Sequence, residues 1–220
     1  MTATANDPVR VIGAILSDPR YPGSVRIMAG GRLLLTVPRS TVEAERLAEG
    51  VALTPERFSR LCGAADEEAA FRTAVRKLQA RPFAVADLTR RLILKGHPPG
   101  AAAAAVERAR LAGLVDDDRF ARNYIDTRSA RGRGPARLRR DLSALGVDRG
   151  LIDRALADCG PEGGAEAAQV ERLVETRAGQ LRGLPAPVIR RRLLAFLARR
   201  GFGGRIAREA VGRVAGQGGS

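Results

Sequence analysis

Tryptophan is absent from the 220-residue chain, which has only two tyrosines, two cysteines, two methionines, two lysines and one histidine. Each shortage removes a class of chemistry. Cys62 and Cys159 lie in different segments and offer neither a disulfide framework nor a paired zinc spacing. Both read as free thiols of a reducing compartment and as small core residues. The lone histidine, His97, stands between Gly96 and Pro98 and reads as a surface residue of an interhelical turn. No phosphate loop is present: Gly30-Gly31 suits a hairpin turn, and Gly132-Arg133-Gly134 lacks the Lys-Ser/Thr that a nucleotide loop needs. No catalytic residue, metal ligand set or cofactor site can be named, and the chain reads as a non-enzyme. No apolar run approaches the ~20 residues of a membrane span, and the opening MTATANDPVR lacks a basic cluster followed by an apolar core. A cytoplasmic protein that avoids membranes is expected.

What the chain has in excess is arginine. The formal net charge is +14, and 36 of the 38 basic residues are Arg. The preference for Arg over Lys is explained as well by genome base composition as by function. The surplus itself favours polyanions or acidic protein surfaces. It is unevenly placed: residues 1–66 carry 8 Arg against 7 acids, whereas residues 67–220 carry 30 basic against 17 acidic residues. The positive field belongs to the second part.

Residues 1–65 read as a small β-containing segment. A strand from Val9 through Leu16, a second at 25–28 and a third at 33–37 surround the Gly30-Gly31 turn. A short helix at 40–48 and another from Thr54-Pro55 to about Leu61 follow, the latter with an N-cap and a proline at its first position. From about Asp66 the pattern is helical and repeats. The phrase Leu-x3-Leu-x3-Gly occurs as Leu88, Leu92, Gly96, as Leu138, Leu142, Gly146, and as Leu193, Leu197, Gly201. Ten positions after each glycine comes an apolar residue: Val106, Leu156 and Val211. Leucines four apart share a helix face, and glycine suits the left-handed position that stops a helix. The expected fold is mainly α: three tandem three-helix repeats at 66–114, 115–160 and 161–216, stacked in an elongated, curved arrangement. The predicted helices lie near 67–80, 84–95 and 99–112, then 117–130, 135–145 and 148–158, then 163–179, 186–200 and 203–214.

The run from Gly113 to Tyr124, with Asp116-Asp117-Asp118 and Arg119-Phe120-Ala121, followed by Gly134-x-x-Arg137-Leu138 and Leu142-x3-Gly146-Val147, resembles the central signature of the RecX family. Leu197-Ala198-Arg199-Arg200-Gly201-Phe202 is similar to that family's closing motif, and Leu88-x3-Leu92-x2-Lys95-Gly96 to its opening one. The resemblance covers about 70–214. One departure is Ala84, where the family places a capping serine; a frayed helix start is expected there. The resemblance implies a partner: RecX proteins bind RecA and its nucleoprotein filament on single-stranded DNA, and generally inhibit its ATPase, strand-exchange and co-protease activities. It implies a role in DNA repair, recombination and the SOS response, with no catalytic residue or cofactor.

The acidic run Asp116–Asp118 reads as a helix cap rather than a metal site. The arginine runs are the functional candidates. Arg128, Arg131, Arg133, Arg137 and Arg140 in the second repeat, and Arg190, Arg191, Arg192, Arg199, Arg200 and Arg205 in the third, form the expected band for RecA or DNA. A solvated basic face is the competing account of any single one of them. The chain is expected to act as a monomer. A stand-alone nucleic-acid-binding protein, working through the same band on single- or double-stranded DNA, is the alternative, and an adaptor for another acidic partner is a third.

Overall fold

The computed structural model describes residues 10–159 and 163–217 and divides into two compact units, Met1–Val115 and Asp116–Ser220. The fold is mostly helical, with small antiparallel sheets in the first unit.

Alternating apolar residues in the first segment make its strands. β2 (Ala14–Ser17), β3 (Ser24–Ala29) and β4 (Arg32–Pro38) form an antiparallel meander, closed at Gly30 and Gly31, which both take positive φ. β1 (Arg10–Val11) pairs instead with β5 (Ala52–Leu53). The single strand expected from Val9 through Leu16 is therefore two. Ile12 donates to Val51 and the next amide, Gly13, donates to Met28, so the chain changes partners at this point. Val9 lies outside the described residues. Ile12, Val25, Ile27, Val37, Leu53 and Leu61 are buried together beneath the short helix α1 (Arg39–Ala44) and the long helix α2 (Pro55–Ala80).

That long helix corrects the sequence reading. The two helices expected at 54–61 and 67–80 are one 26-residue helix, about 39 Å long. Thr54 caps it by accepting from the Arg57 amide, and no glycine or proline after Gly63 breaks it. Its first half packs on the sheet through Leu61, and its second half packs into the first repeat through Ala70 and Ala74. The boundary drawn at 65/66 thus falls inside a continuous element. Two polar ties cross the same place. Glu68, 2% exposed, accepts from Ser24 Oγ on β3 and from Arg108 Nη1 at 2.7 Å, and Asp18 pairs with Arg72 at 2.5 Å.

The remaining helices are α3 (Val85–Leu94), α4 (Pro99–Leu111), α5 (Asp117–Ser129), α6 (Pro135–Ala144), α7 (Arg149–Cys159), α8 (Gly163–Gly179), α9 (Ala186–Arg200) and α10 (Gly204–Gln217). The thrice-copied phrase lies on the middle helix of each trio. All six leucines are at most 1% exposed, each contributing roughly 2 kcal/mol of transfer free energy. Gly96, Gly146 and Gly201 have φ of 96°, 83° and 90°. The residue after each glycine donates back to the second leucine's carbonyl: His97 to Leu92, Val147 to Leu142 and Phe202 to Leu197, at 3.2, 3.2 and 3.0 Å. One helix stop is therefore built three times. The apolar position ten residues on is buried at Val106 and Val211, but in the second repeat Ala155 takes the buried place and Leu156 is half-buried. Asp116 and Asp148 cap α5 and α7 by accepting from the Arg119 amide and from the Gly150 and Leu151 amides. Ala84 has no capping oxygen, yet the start of α3 is held. Ala84 is fully buried beside Phe83, and its carbonyl accepts from Leu88 at 2.9 Å.

Candidate functional site: the arginines of the second unit

The eleven arginines singled out above all lie in the second unit, and the structure sorts them by what their guanidinium groups touch. Arg133 and Arg137 converge on one carboxylate, Asp141, at 2.5 and 2.9 Å. Arg128 is half-buried, its guanidinium 5.4 Å from the centre of the Tyr124 ring. Arg205 lies 3.5 Å from Glu209. These groups have a local partner, which leaves less free charge for an outside one.

Arg200 has a structural task. Its Nη1 reaches the carbonyl of Gly132 at 3.3 Å, and its guanidinium lies 4.8 Å from the Phe196 ring centre. Its own carbonyl accepts from the Gly134 amide at 2.7 Å, and the Gly201 carbonyl accepts from Ala136 at 3.2 Å. The unpaired N–H groups at the start of α6 thus meet the unpaired carbonyls at the end of α9, with the two helix dipoles head to tail. The approach is so close that only glycine fits. A Cβ on Gly201 would lie 2.3 Å from the Arg137 nitrogen, and one on Gly134 would lie 2.6 Å from the Gly201 carbonyl carbon. The two motif glycines, 67 positions apart in sequence, form one clasp between the second and third repeats. Sequence reading gave Gly201 a helix-ending duty and noted Gly134 as part of the central signature. Nothing in their spacing announces that they meet.

The remaining six are exposed. Arg131, Arg190, Arg191, Arg192 and Arg199 have no side-chain hydrogen bond or ion pair among the described residues, and Arg140 has only a 3.4 Å reach to the Ala136 carbonyl. Four of the six are on α9, whose sequence APVIRRRLLAFLARR contains no acid. With Leu193 and Leu197 buried, Arg191 points about 160° from Leu193, and Arg192 and Arg199 lie about 20° from each other, two turns apart. Ala195 and Ala198 are the exposed small residues between them. Arg191, Arg192 and Arg199 thus make one outer side dense in unpaired positive charge, whereas Arg190 emerges in the first turn about 20° from the direction of Leu197. The guanidinium forks suit carboxylate or phosphate oxygens.

Other readings meet the structure as follows. His97 is half-buried rather than a free surface residue, with Nε2 3.1 Å from Thr73 Oγ1. Cys62 is half-buried, and burial, reinforced by Asp66, pushes its thiol above the usual range. The side chain of Cys159 lies outside the described residues. Asp118 pairs with Arg122 at 2.8 Å, and Arg122 also reaches Asp158 on α7. Among the described residues no three His, Cys, Asp or Glu side chains gather as a metal site, and no helix is long and apolar enough to cross a membrane.

A family model described as RecX, second three-helix domain, matches residues 116–156. The regulatory protein RecX of Mycobacterium ulcerans (strain Agy99) is 38% identical over 148 residues, which span 66% of this chain and 84% of that protein. The regulatory protein RecX of Halorhodospira halophila (strain DSM 244 / SL1) is 36% identical over 143 residues, 63% of this chain and 83% of its own. A crystal structure of a regulatory protein RecX has a TM-score of 0.75 at 20% identity, covering 95% of this chain and 100% of the other. The crystal structure of RecX from Lactobacillus salivarius has a TM-score of 0.59 at 16% identity, covering 68% and 96%.

Proposed function

The chain belongs to the RecX family of regulatory proteins, and from that premise we propose that it binds RecA and its filament on single-stranded DNA and restrains the filament's activity, without catalysis of its own. One observation carries the reading: the unpaired arginines of α9. A charged group left without a partner on its own chain is available to one outside it. The filament offers both kinds of complementary group, backbone phosphate and protein carboxylate. The contact residues are Arg190, Arg191, Arg192 and Arg199, with Arg131 and Arg140 on the neighbouring repeat. Arg133, Arg137 and Arg205 contribute less because a carboxylate already holds them.

A second reading has support from the same arginines. Phosphate satisfies a guanidinium as fully as carboxylate does, so a stand-alone nucleic-acid-binding protein would present the same face. The two are separated by titrating RecA with the protein while RecA hydrolyses ATP on single-stranded DNA. The RecA reading expects hydrolysis to fall at protein levels well below one per RecA subunit. Unchanged hydrolysis, with tight and steeply salt-dependent DNA binding in the absence of RecA, would leave the second reading in its place.

A further inference from the structure

We propose that the first unit contains a separate binding site for a phosphoryl group, in a cleft of about 640 Å³ where the β2–β3 turn, β3, α2 and the α3–α4 link meet. The cleft is lined by Arg20, Arg26, Arg72, Arg76, His97 and a single carboxylate, Asp18. Four guanidinium groups thus face one acid.

That acid is already committed. Asp18 accepts from the Arg20 amide at 2.9 Å and from Arg72 Nη2 at 2.5 Å. Arg72 is also stacked 3.8 Å from the centre of the Tyr21 ring, so its position is fixed from two sides. The side chains of Arg20, Arg26 and Arg76 have no carboxylate partner among the described residues. Arg26 makes the strongest case. Its Nε is buried without a hydrogen-bond partner among the described residues, and the side chain still lines the cleft, so its charge is left uncompensated for an anion to meet. On the opposite wall the buried Thr73 hydroxyl organises two more groups, with Arg76 Nη2 at 3.3 Å and His97 Nε2 at 3.1 Å. The half-buried His97, held by this contact with Thr73, thus has a place in the cleft wall.

Charge selects an anion, and the forks grip phosphate oxygens with paired N–H donors. Four guanidinium groups against one committed acid favour the more highly charged phosphoryl group over a single carboxylate. The volume exceeds what one inorganic phosphate needs and lies within the range of small-ligand clefts. The occupant is therefore a phosphorylated group of nucleotide size, either a free nucleotide or the phosphorylated end of a DNA strand. The site owes nothing to the α9 face, which lies in the other unit.

The test uses the full-length protein and isothermal titration with inorganic pyrophosphate. The double variant R20Q/R76Q alters two exposed side chains that hold no element together, so its melting temperature without ligand should equal the parent's. Its pyrophosphate affinity should be lower by about tenfold or more, whereas R190Q/R191Q/R192Q should bind like the parent. Competition then names the source: displacement by ADP identifies a free nucleotide, and displacement by a 5′-phosphorylated oligonucleotide but not its unphosphorylated form identifies a strand end. No pyrophosphate binding, equal binding by parent and R20Q/R76Q, loss only in the α9 variant, or displacement by neither competitor would each overturn the proposal.

Discussion

The middle helices of the three repeats, α3, α6 and α9, have the same leucine spacing and the same glycine stop but treat their arginines differently. On α3, Asp87 is nearly buried and holds Arg90 and Arg91 at 3.0 and 2.8 Å. On α6, Asp141 holds Arg133 and Arg137, while Asp153 of α7 holds Arg139. On α9 no acid is present, and Arg190, Arg191, Arg192 and Arg199 have no ion-pair partner among the described residues. Repetition therefore preserved the packing face and let the solvent face diverge. The buried side of a repeat is constrained by its neighbours, whereas the outer side is open to specialisation.

The largest expected effect tests the packing half of that comparison. Gly201 and Gly96 occupy equivalent positions with nearly equal φ, but a Cβ on Gly96 would meet nothing within 4 Å. Gly96→Ala should lose only the left-handed backbone penalty, about 1 kcal/mol. Gly201→Ala adds a collision with the backbone of α6 that no side-chain movement relieves, and should lose about 3 kcal/mol or more in urea unfolding. Equal losses at the two sites would mean that the clasp between α6 and α9 is not a close one.

The next effect tests the solvent half. Reversing charge at Arg190, Arg191 and Arg192 together should leave the circular dichroism spectrum unchanged and weaken inhibition of RecA by about tenfold. Replacing Arg90 and Arg91 by Gln should weaken it far less, because both already contact Asp87, which offsets part of their charge. Inhibition unaffected by the α9 variant would remove the free arginines from the site.

Acid provides a smaller and graded effect, confined to named carboxylates of the first unit. Burial alone would raise the Asp18 carboxyl, but the Arg20 amide, Arg72 and the Tyr21 amide outweigh it and hold the group below its ordinary range. Asp87 behaves likewise, with burial opposed by Arg91 and Arg90. A carboxyl depressed by folding stabilises the fold above its unfolded value of about 3.9, and that contribution disappears as pH falls through the lower folded value. The melting temperature of the first unit should therefore drop as pH falls below about 4. Asp18→Asn should melt lower than the parent at neutral pH and show a shallower acid decline. A decline of unchanged steepness would mean that Asp18 does not contribute to it.

Much of this architecture was legible in the sequence because it rests on local rules. Leucines four apart, a glycine after them, and Asp116 or Asp148 before a helix each act within a few residues. What stayed hidden depends on distance or on continuity. Gly134 and Gly201 meet through tertiary packing. The helix α2 runs through position 65 because nothing there breaks it, although the composition changes at that point. The fate of each arginine is the clearest case. Arg137 and Arg191 look alike in a sequence, and only a carboxylate four residues on, turned to the same side, separates a neutralised group from a free one. Such an i, i+4 acid is a readable signal. It would have removed Arg137 from the band and left the α9 residues in place. Arg133 escaped it, being eight residues from Asp141 across a turn.

Asp141 also offers the finest test of the comparison, because replacing it should make α6 more like α9. Asp141→Asn keeps the side-chain shape and removes the charge shared by Arg133 and Arg137. Partly exposed ion pairs of this kind contribute about 0–1 kcal/mol each, so the variant should lose little stability. Its two released guanidinium groups should then add to the positive face of the second unit. Binding to single-stranded DNA should tighten by about two- to fivefold at low salt, and the log–log salt slope should steepen by up to about two. If free arginines are what distinguish α9, this one substitution moves α6 toward it. An affinity that stays the same or falls would mean that the position of α9, and not its missing acid, sets the difference.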